Sequence, residues 1–269
     1  MKIHSKLYMN AAELTQNGPI TIVAFGDSVT HGALSNGEFD YDCVYWNRLR
    51  TKINEIRCYV PINVINAGIG GATAKSSLKR MERQVFAHAP DLIIICFGLN
   101  DINEPLEDYL SALSVIFTQC LERRIDTIFM TPNMLNTYVA DDTDPLYRDY
   151  AAKTAQLQNN GTMDLYVTSA TKLARSMGVI VCDCYAKWKE LNRIQDTTKM
   201  LVNRINHPTR QMHALFSECL FDTIFPNGFD GISVSTSAMY TLTHPVLPGI
   251  ADELEIIRQV EQDRLNLSG

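Results

Sequence analysis

The sequence lacks the long apolar and basic runs that would place the chain in a membrane or on a nucleic acid. No apolar stretch is long enough to span a bilayer, so we expect no membrane insertion. Basic residues form no run, and the formal net charge of −6 with a pI near 5.5 argues against nucleic-acid binding. Residues 1–6 lead into polar residues rather than a long apolar segment, which predicts no secretory signal.

Disulfide and metal-binding patterns are also missing. The seven cysteines are an odd number, and several stand among apolar residues, as reduced thiols in a cytoplasmic protein do. Cys182 and Cys184 are separated by one residue, which is the spacing of neither a zinc site nor a thioredoxin-like motif. We therefore expect a cytoplasmic protein that uses no metal and no cofactor.

The residues that are present indicate a globular α/β protein. Hydrophobic residues make up 46% and charged residues 20% of the chain, enough to bury a sizeable core. Apolar runs alternate with amphipathic segments, a pattern that predicts a parallel sheet covered on both faces. The predicted strands are residues 21–25, 62–67, 92–97, 127–131 and 179–183, and the predicted helices are residues 45–56, 74–87, 105–124, 163–177 and 209–224.

Two regions exceed a minimal core of this kind. We expect a single domain over residues 1–269, with a core of about 20–225 and a C-terminal extension of about 226–269. Residues 133–161 are polar and follow the fourth predicted strand, so we expect them to cover the functional site. In the extension, a loop-rich stretch precedes a predicted helix over 250–265. That helix is either a surface brace or a dimer contact, so homo-oligomerisation is left open.

The motif with the clearest chemical content is Gly26-Asp27-Ser28, directly after the apolar run 20–25. It puts a hydroxyl at the carboxyl end of a strand, where α/β sheets usually bind ligands. Serine becomes a nucleophile only when a base takes its proton and donors stabilise the oxyanion that follows. Taken alone, the tripeptide more often marks an ordinary turn, because all three residues favour turns.

Four short blocks of the sequence resemble those of the SGNH hydrolase (GDSL esterase/lipase) superfamily. The blocks are residues 25–32 (FGDSVTHG), 64–73 (VINAGIGGAT), 95–101 (ICFGLND) and 206–213 (NHPTRQMH). They occur in the family's order, and the resemblance extends from about residue 20 to about residue 225. It implies a flavodoxin-like three-layer α/β/α sandwich with a five-stranded, mainly parallel sheet (the SGNH hydrolase fold).

The resemblance also implies roles for individual residues. Ser28 corresponds to the nucleophile and His207 to the general base, while Ser28, Gly71 and Asn100 correspond to the oxyanion hole. A glycine suits that hole because the missing Cβ lets a backbone N–H approach the substrate. The residues alone also allow a simpler interpretation, in which Gly71 belongs to a flexible loop and Asn100 caps a helix.

The histidine block departs from the family pattern. The acid that normally orients the histidine stands three residues before it, and Arg204 occupies that position. Arginine would oppose the charge of an imidazolium, so we expect it to point elsewhere. Three alternatives remain open: a Ser–His dyad oriented by a backbone carbonyl, Asn203 as the orienter of the ring, or an acid such as Asp196 or Asp230 from elsewhere in the chain.

A second histidine competes for the role of base. His244-Pro245 also resembles the fourth block, but we favour His207 because it follows the fifth predicted strand more closely. Tyr41, Tyr45, Trp46 and Arg48 are either sugar contacts or packing residues.

The function that fits the sequence is a serine esterase of small soluble carboxylic esters, above all O-acetyl groups on carbohydrates, acting through an acyl-enzyme on Ser28. The alternatives are a lysophospholipase or acyl thioesterase of the same fold, and a non-catalytic carbohydrate- or acyl-binding protein that retains it.

Overall fold

Five apolar segments form one parallel sheet at the centre of the molecule. The computed structural model describes residues 1–35 and 37–228 of the 269-residue chain. The strands are β1 (Ile20–Gly26), β2 (Ile62–Gly68), β3 (Leu92–Cys96), β4 (Asp126–Met130) and β5 (Ile180–Cys182). Their order is β2-β1-β3-β4-β5, and every pairing is parallel. The predicted α/β class and five-stranded sheet are confirmed, with strand ends within one residue or two of those expected.

Eleven helices belong to the described part of the chain. They are α1 (Lys2–Leu7), α2 (Ala11–Asn17), α3 (Ser28–His31), α4 (Tyr45–Ile56), α5 (Ala74–Ser77), α6 (Met81–Gln84), α7 (Leu106–Glu122), α8 (Arg148–Asn159), α9 (Thr162–Ser176), α10 (Cys184–Leu191) and α11 (Met212–Ile224). Short 3₁₀ turns occupy Leu78–Arg80, Phe86–His88, Asp101–Asn103 and Pro145–Tyr147.

The helices cover both faces of the sheet. In a parallel sheet the crossover between two strands is right-handed, so the direction in which the chain moves along the sheet decides which face its helix covers. The chain moves in one direction from β1 to β2 and in the other from β3 to β4, which puts α4 and α7 on opposite faces. Accordingly α4 packs against α11, while α7 packs against α5 and α9. The side chains of β3 are buried along its whole length, as expected for a central strand between two helical layers.

Helix α7 illustrates how the sequence specifies these layers. Acidic side chains occupy its first turn, where they favour the positive end of the helix dipole. Its buried residues recur at intervals of three and one, which gives one apolar stripe along the helix. The stripe consists of Tyr109, Ala112, Leu113, Ile116, Phe117 and Cys120.

Some predicted elements differ from the structure. The helix expected over 74–87 is broken into α5, a 3₁₀ turn and α6. From the middle of this segment the buried Arg80 donates to the carbonyl oxygens of Ala67 and Gly26. Helices α1, α2, α3, α8 and α10 lie outside the predicted helix ranges. All seven cysteines lie in the described part and carry free thiols.

Other expectations fall outside the described residues. These are the loop-rich stretch 229–248, the helix over 250–265, and the roles considered for Asp230 and His244. No helix in residues 1–35 and 37–228 is both long and apolar enough to cross a membrane.

Candidate active site

The carboxyl ends of β1, β2 and β3 meet at one edge of the sheet, where their loops border an open cleft of about 540 Å³. Ser28, Gly71, Asn100 and His207 all line this cleft. Parallel pairing brings the first three together because it aligns the ends of adjacent strands. His207 arrives from the loop before α11. The four residues named from separate sequence blocks therefore share one cavity.

Ser28 is held at the start of α3 by the residue before it. The Asp27 side chain accepts a hydrogen bond from the backbone N–H of Val29 at 3.0 Å and so caps the short helix. Ser28 is 6% exposed. The turn thus fixes a nearly buried hydroxyl at the floor of the cleft.

The loop after β2 packs directly against the Ser28 helix. A Cβ on Gly68 would come within 2.3 Å of the His31 backbone nitrogen, so only glycine allows this approach. Further along, Gly71 has φ of +74°, a left-handed conformation that glycine adopts without strain. No heavy atom lies within 4 Å of the position of a Gly71 Cβ among the described residues, so conformation rather than space favours glycine there.

The loop after β3 fastens the loop after β2 from the other side. The Asn100 side-chain amide donates to the carbonyl of Ala72 at 3.0 Å, and an Asp101 carboxylate oxygen accepts from the Ala74 N–H at 2.8 Å. A primary amide has two hydrogens, so Asn100 retains one for an acceptor in the cleft.

Two carboxyl groups are buried beneath the site. Burial raises the pKa of Asp27 to about 7, a value that includes a lowering by the hydrogen bond from the Val29 N–H and a smaller increase from the nearby Asp101 charge. Burial likewise raises the pKa of Asp101 to about 7. One oxygen of each carboxyl (Oδ2) has no hydrogen-bond partner among the described residues. Both groups therefore titrate near neutral pH.

The imidazole of His207 lies between Ser28 and a backbone carbonyl. Its Nε2 is 2.9 Å from Ser28 Oγ, and its Nδ1 is 2.5 Å from the carbonyl oxygen of Leu34. Because a carbonyl only accepts, Nδ1 carries the proton, and the lone pair of Nε2 faces the serine hydroxyl. Burial lowers the pKa of His207, although the Leu34 carbonyl opposes this. The ring is therefore neutral at pH 7 and able to accept a proton.

Asn203 and Arg204 do not contact the imidazole. The Asn203 side-chain oxygen accepts from the backbone N–H groups of Ile205, Asn206 and His207, each at 3.0 Å. It therefore shapes the loop that carries His207, and the expectation that it orients the ring itself is corrected. Arg204 points away as expected: its Nε lies 3.0 and 2.9 Å from the two carboxylate oxygens of Asp142.

The acid considered from elsewhere in the described chain is also engaged away from the ring. Asp196 accepts from the Tyr138 hydroxyl at 2.6 Å and pairs with Lys199. Within residues 1–35 and 37–228, the contact to His207 Nδ1 comes from the Leu34 carbonyl. This geometry matches the first of the three alternatives, a dyad oriented by a backbone carbonyl.

The wall of the cleft combines aromatic rings with carboxylates. Phe39, Tyr147 and Tyr150 supply the rings, and the last two come from the segment 133–161 that was expected to cover the site. The carboxylates are those of Glu38, Asp142 and Asp144. Lysine and arginine are absent from the cleft wall in the described structure.

The four residues that the sequence left open as sugar contacts or packing residues do not line the cleft in the described structure. Tyr45 is fully buried, with its hydroxyl 2.9 Å from Thr30 Oγ1, and Trp46 donates to the Thr30 carbonyl. Arg48 donates to the Cys43 carbonyl, and the exposed Tyr41 stacks near Phe39. Their contacts instead stabilise the segment between α3 and α4.

The sequence offered no signal for Leu34, because every residue has a carbonyl and the fold decides which one reaches the ring. The described residues hold no group of three or more histidine, cysteine, aspartate or glutamate side chains arranged to bind a metal ion.

Comparison with known proteins adds independent information. The GDSL-like Lipase/Acylhydrolase family model matches residues 24–215. An acetylxylan esterase of Geobacillus stearothermophilus is 24% identical over 230 residues, covering 78% of this chain and 95% of that protein. The crystal structure of Axe2, an acetylxylan esterase from the same organism, has a TM-score of 0.60 at 21% identity and covers 77% of this chain and 94% of that chain. LAE5, an alpha/beta hydrolase enzyme from the metagenome of Lake Arreo, Spain, has a TM-score of 0.59 at 18% identity with the same coverage. Both solved structures share the fold of this chain.

Proposed function

Because the chain belongs to the GDSL-like Lipase/Acylhydrolase family, it is a hydrolase of ester bonds, and we propose that it removes acetyl groups from carbohydrates through an acyl-enzyme on Ser28. The observation that carries the proposal is the 2.9 Å contact between Ser28 Oγ and His207 Nε2 inside the cleft. A nucleophile and its base must lie within hydrogen-bond reach of each other, and here they do.

The first step is acylation of Ser28. His207 Nε2 takes the hydroxyl proton while Oγ attacks the ester carbonyl carbon, which gives a tetrahedral oxyanion and an imidazolium. The Leu34 carbonyl accepts from Nδ1–H throughout, which holds the ring in the tautomer that the reaction needs. A carbonyl dipole stabilises the imidazolium less than a full carboxylate charge would.

The oxyanion needs donors that are fixed before the reaction. The backbone N–H groups of Ser28 and Gly71 and the free hydrogen of the Asn100 amide are the donors in this proposal. Asn100 is already anchored to the Ala72 carbonyl, so little reorganisation accompanies its use. Collapse of the intermediate transfers the Nε2 proton to the departing alcohol. Water then attacks the acyl carbon as Nε2 takes one of its protons, and cleavage of the bond to Oγ releases the acid while Nε2 returns the proton to Ser28.

The cleft wall supports a carbohydrate as the alcohol. Tyr147 is 47% exposed and Phe39 43% exposed, and an apolar ring with a free face can stack on the face of a pyranose. The carboxylates of Glu38, Asp142 and Asp144 supply acceptors for sugar hydroxyls. The acetylxylan esterase relative agrees with this substrate class.

Substitution of the proposed nucleophile and base tests the reaction. Ser28→Ala and His207→Ala should each lower kcat/KM for p-nitrophenyl acetate by about 10⁴-fold or more, since the two groups act as a unit. His244→Ala should change kcat/KM by less than about twofold, because the base in this proposal is His207. Circular dichroism of each variant checks that folding is retained. A severe loss in His244→Ala with an active His207→Ala would overturn the assignment of the base.

A further inference from the structure

The carbonyl that holds His207 belongs to a small hairpin, defined here by the two arms 33–35 and 37–40. Leu34 N–H donates to the Glu38 carbonyl at 2.9 Å, and Ala33 pairs with Phe39 in an antiparallel bridge. The Asp40 N–H donates to the Gly32 carbonyl at 3.0 Å. The position of the Leu34 carbonyl therefore depends on both arms of this hairpin.

One side chain from the histidine loop holds the far arm of the hairpin. Arg210, three residues after His207, donates through Nε to Asp40 at 2.7 Å and through Nη2 to Glu38. The Arg210 charge holds the pKa of Asp40 below its usual value, and both carboxylates raise the pKa of Arg210. Asp40 is also fixed to its own loop, because it accepts from the Asp42 and Cys43 N–H groups.

The Arg210 backbone is held as well. Arg48 donates through Nη2 to the Arg210 carbonyl at 3.2 Å and through Nε to the Cys43 carbonyl at 2.8 Å. The two loops that contribute the acceptor and the imidazole are thus joined by both side-chain and backbone contacts on one flank of the cleft.

We propose that Arg210, paired with Glu38 and Asp40, is a positioning residue for the proton relay. It locks the hairpin to the histidine loop and so keeps the Leu34 carbonyl on His207 Nδ1. A carboxylate would attract the imidazolium over several ångströms by its charge, whereas a neutral carbonyl acts only through a short, directional hydrogen bond. This dyad therefore depends on contacts that fix the position of the hairpin. The inference rests on the function proposed above.

The ion-pair cluster of Arg210 with Glu38 and Asp40, called the latch below, is partly exposed to solvent. Its exposure makes it possible to distinguish an effect on catalysis from an effect on folding. The side chains of Arg210 and Glu38 are about half exposed, at 45% and 50%. Ion pairs exposed to that degree contribute little to the stability of the fold. The reaction is more sensitive, because a displacement of about 1 Å in a catalytic group can cost about 10²-fold in rate. Loss of the latch should therefore reduce turnover without unfolding the protein.

The test compares Arg210→Ala and Arg210→Lys with a matched control on p-nitrophenyl acetate. Lys52→Ala is the control, since it removes a partly exposed ion pair, Lys52 with Glu218, between α4 and α11 and away from the cleft. We expect Arg210→Ala to lower kcat by about 10-fold or more and to move the melting temperature no further than Lys52→Ala does. Arg210→Lys should recover part of the lost kcat, because one ammonium can still reach one carboxylate.

Salt provides a second measurement on the same proteins. About 0.5 M NaCl should lower kcat of the natural chain, because exposed ion pairs are screened, and should leave Arg210→Ala almost unchanged. Equal kcat in Arg210→Ala and Lys52→Ala would overturn the latch, provided that the natural chain turns over. An inactive natural chain would instead overturn the proposed function.

Discussion

At the residue scale, the site depends on what replaces the missing carboxylate. Arg204 stands where the resemblance predicts an acid, and its guanidinium pairs with Asp142 instead. The Leu34 carbonyl fixes the tautomer of His207, which is one of the two tasks of a triad acid. Because the Leu34 carbonyl carries no charge, it raises the pKa of His207 less than a carboxylate would, and burial keeps that pKa below its usual value. The imidazole therefore stays neutral down to a lower pH than an ordinary histidine does.

A second histidine gives a stability prediction at the same scale. His213 is fully buried against Tyr45 and Phe216, and neither ring nitrogen has a hydrogen-bond partner among the described residues. Burial lowers its pKa to about 3. The unfolded chain therefore binds a proton at this residue, with a pKa near 6.5, before the folded chain does. Stability is lost as pH falls from about 6.5 toward about 3.

His213→Leu should remove that loss, because leucine has a similar volume and no titration. We expect the variant to be more stable than the natural chain at pH 7 by about 1–3 kcal/mol, the cost of an unpaired buried polar group. Its advantage should grow as the pH is lowered to 4.5. Urea denaturation at both pH values measures the difference, and an advantage that shrinks at pH 4.5 would contradict the account.

At the scale of elements, the strands were more predictable than the helices. Strand-like segments of five or six residues between turn signals marked all five strands. The segment 74–87 looked like one amphipathic helix, yet its hydrogen bonding is divided between α5, α6 and 3₁₀ turns. Arg80 within it satisfies carbonyls at the ends of β1 and β2, a tertiary contact that periodicity does not reveal.

The same distinction applies to the site. Ser28, Gly71, Asn100 and His207 were found because their blocks have sequence signatures, and the fold gathers them in one cleft. The Leu34 carbonyl has no such signature. Its contribution follows only from how the hairpin with arms 33–35 and 37–40 meets the histidine loop.

The 3₁₀ turn Pro145–Tyr147, which precedes helix α8, places Tyr147 in the wall of the cleft and so gives a prediction about the alcohol part of the substrate. If Tyr147 stacks on a sugar, Tyr147→Ala should raise KM for acetylated neutral oligosaccharides by about 2- to 10-fold, since an aromatic contact contributes about 0.5–1.5 kcal/mol. The KM for p-nitrophenyl acetate, which has no sugar, should change far less. Acetate release from both substrates provides the measurement.

The matched control is Tyr59→Ala. Tyr59 is 53% exposed and precedes β2 at the opposite end of the sheet from the cleft. It should leave both KM values unchanged. An equal rise in KM for the two esters in Tyr147→Ala would contradict a contact with the sugar. It would mean that Tyr147 maintains the shape of the cleft for any ester.

At the scale of the whole molecule, the architecture explains why distant blocks act together. The order β2-β1-β3-β4-β5 places β1 between β2 and β3, so the loops after these three strands converge at one edge of the sheet, and the chain returns after β5 to supply His207. The family match over residues 24–215 covers the end of β1, the other four strands and His207. The strand order and the four blocks thus point to the same edge of the sheet as the proposed catalytic site.

The central claim is that Ser28 is a nucleophile activated by His207, and covalent labelling tests it most directly. The natural chain should be incubated with a fluorophosphonate probe, followed by intact-mass measurement and peptide mapping. The account predicts a single adduct on the peptide that contains Ser28, no adduct in Ser28→Ala, and greatly slowed labelling in His207→Ala. A folded chain that remains unlabelled, or one labelled at another serine, would contradict it.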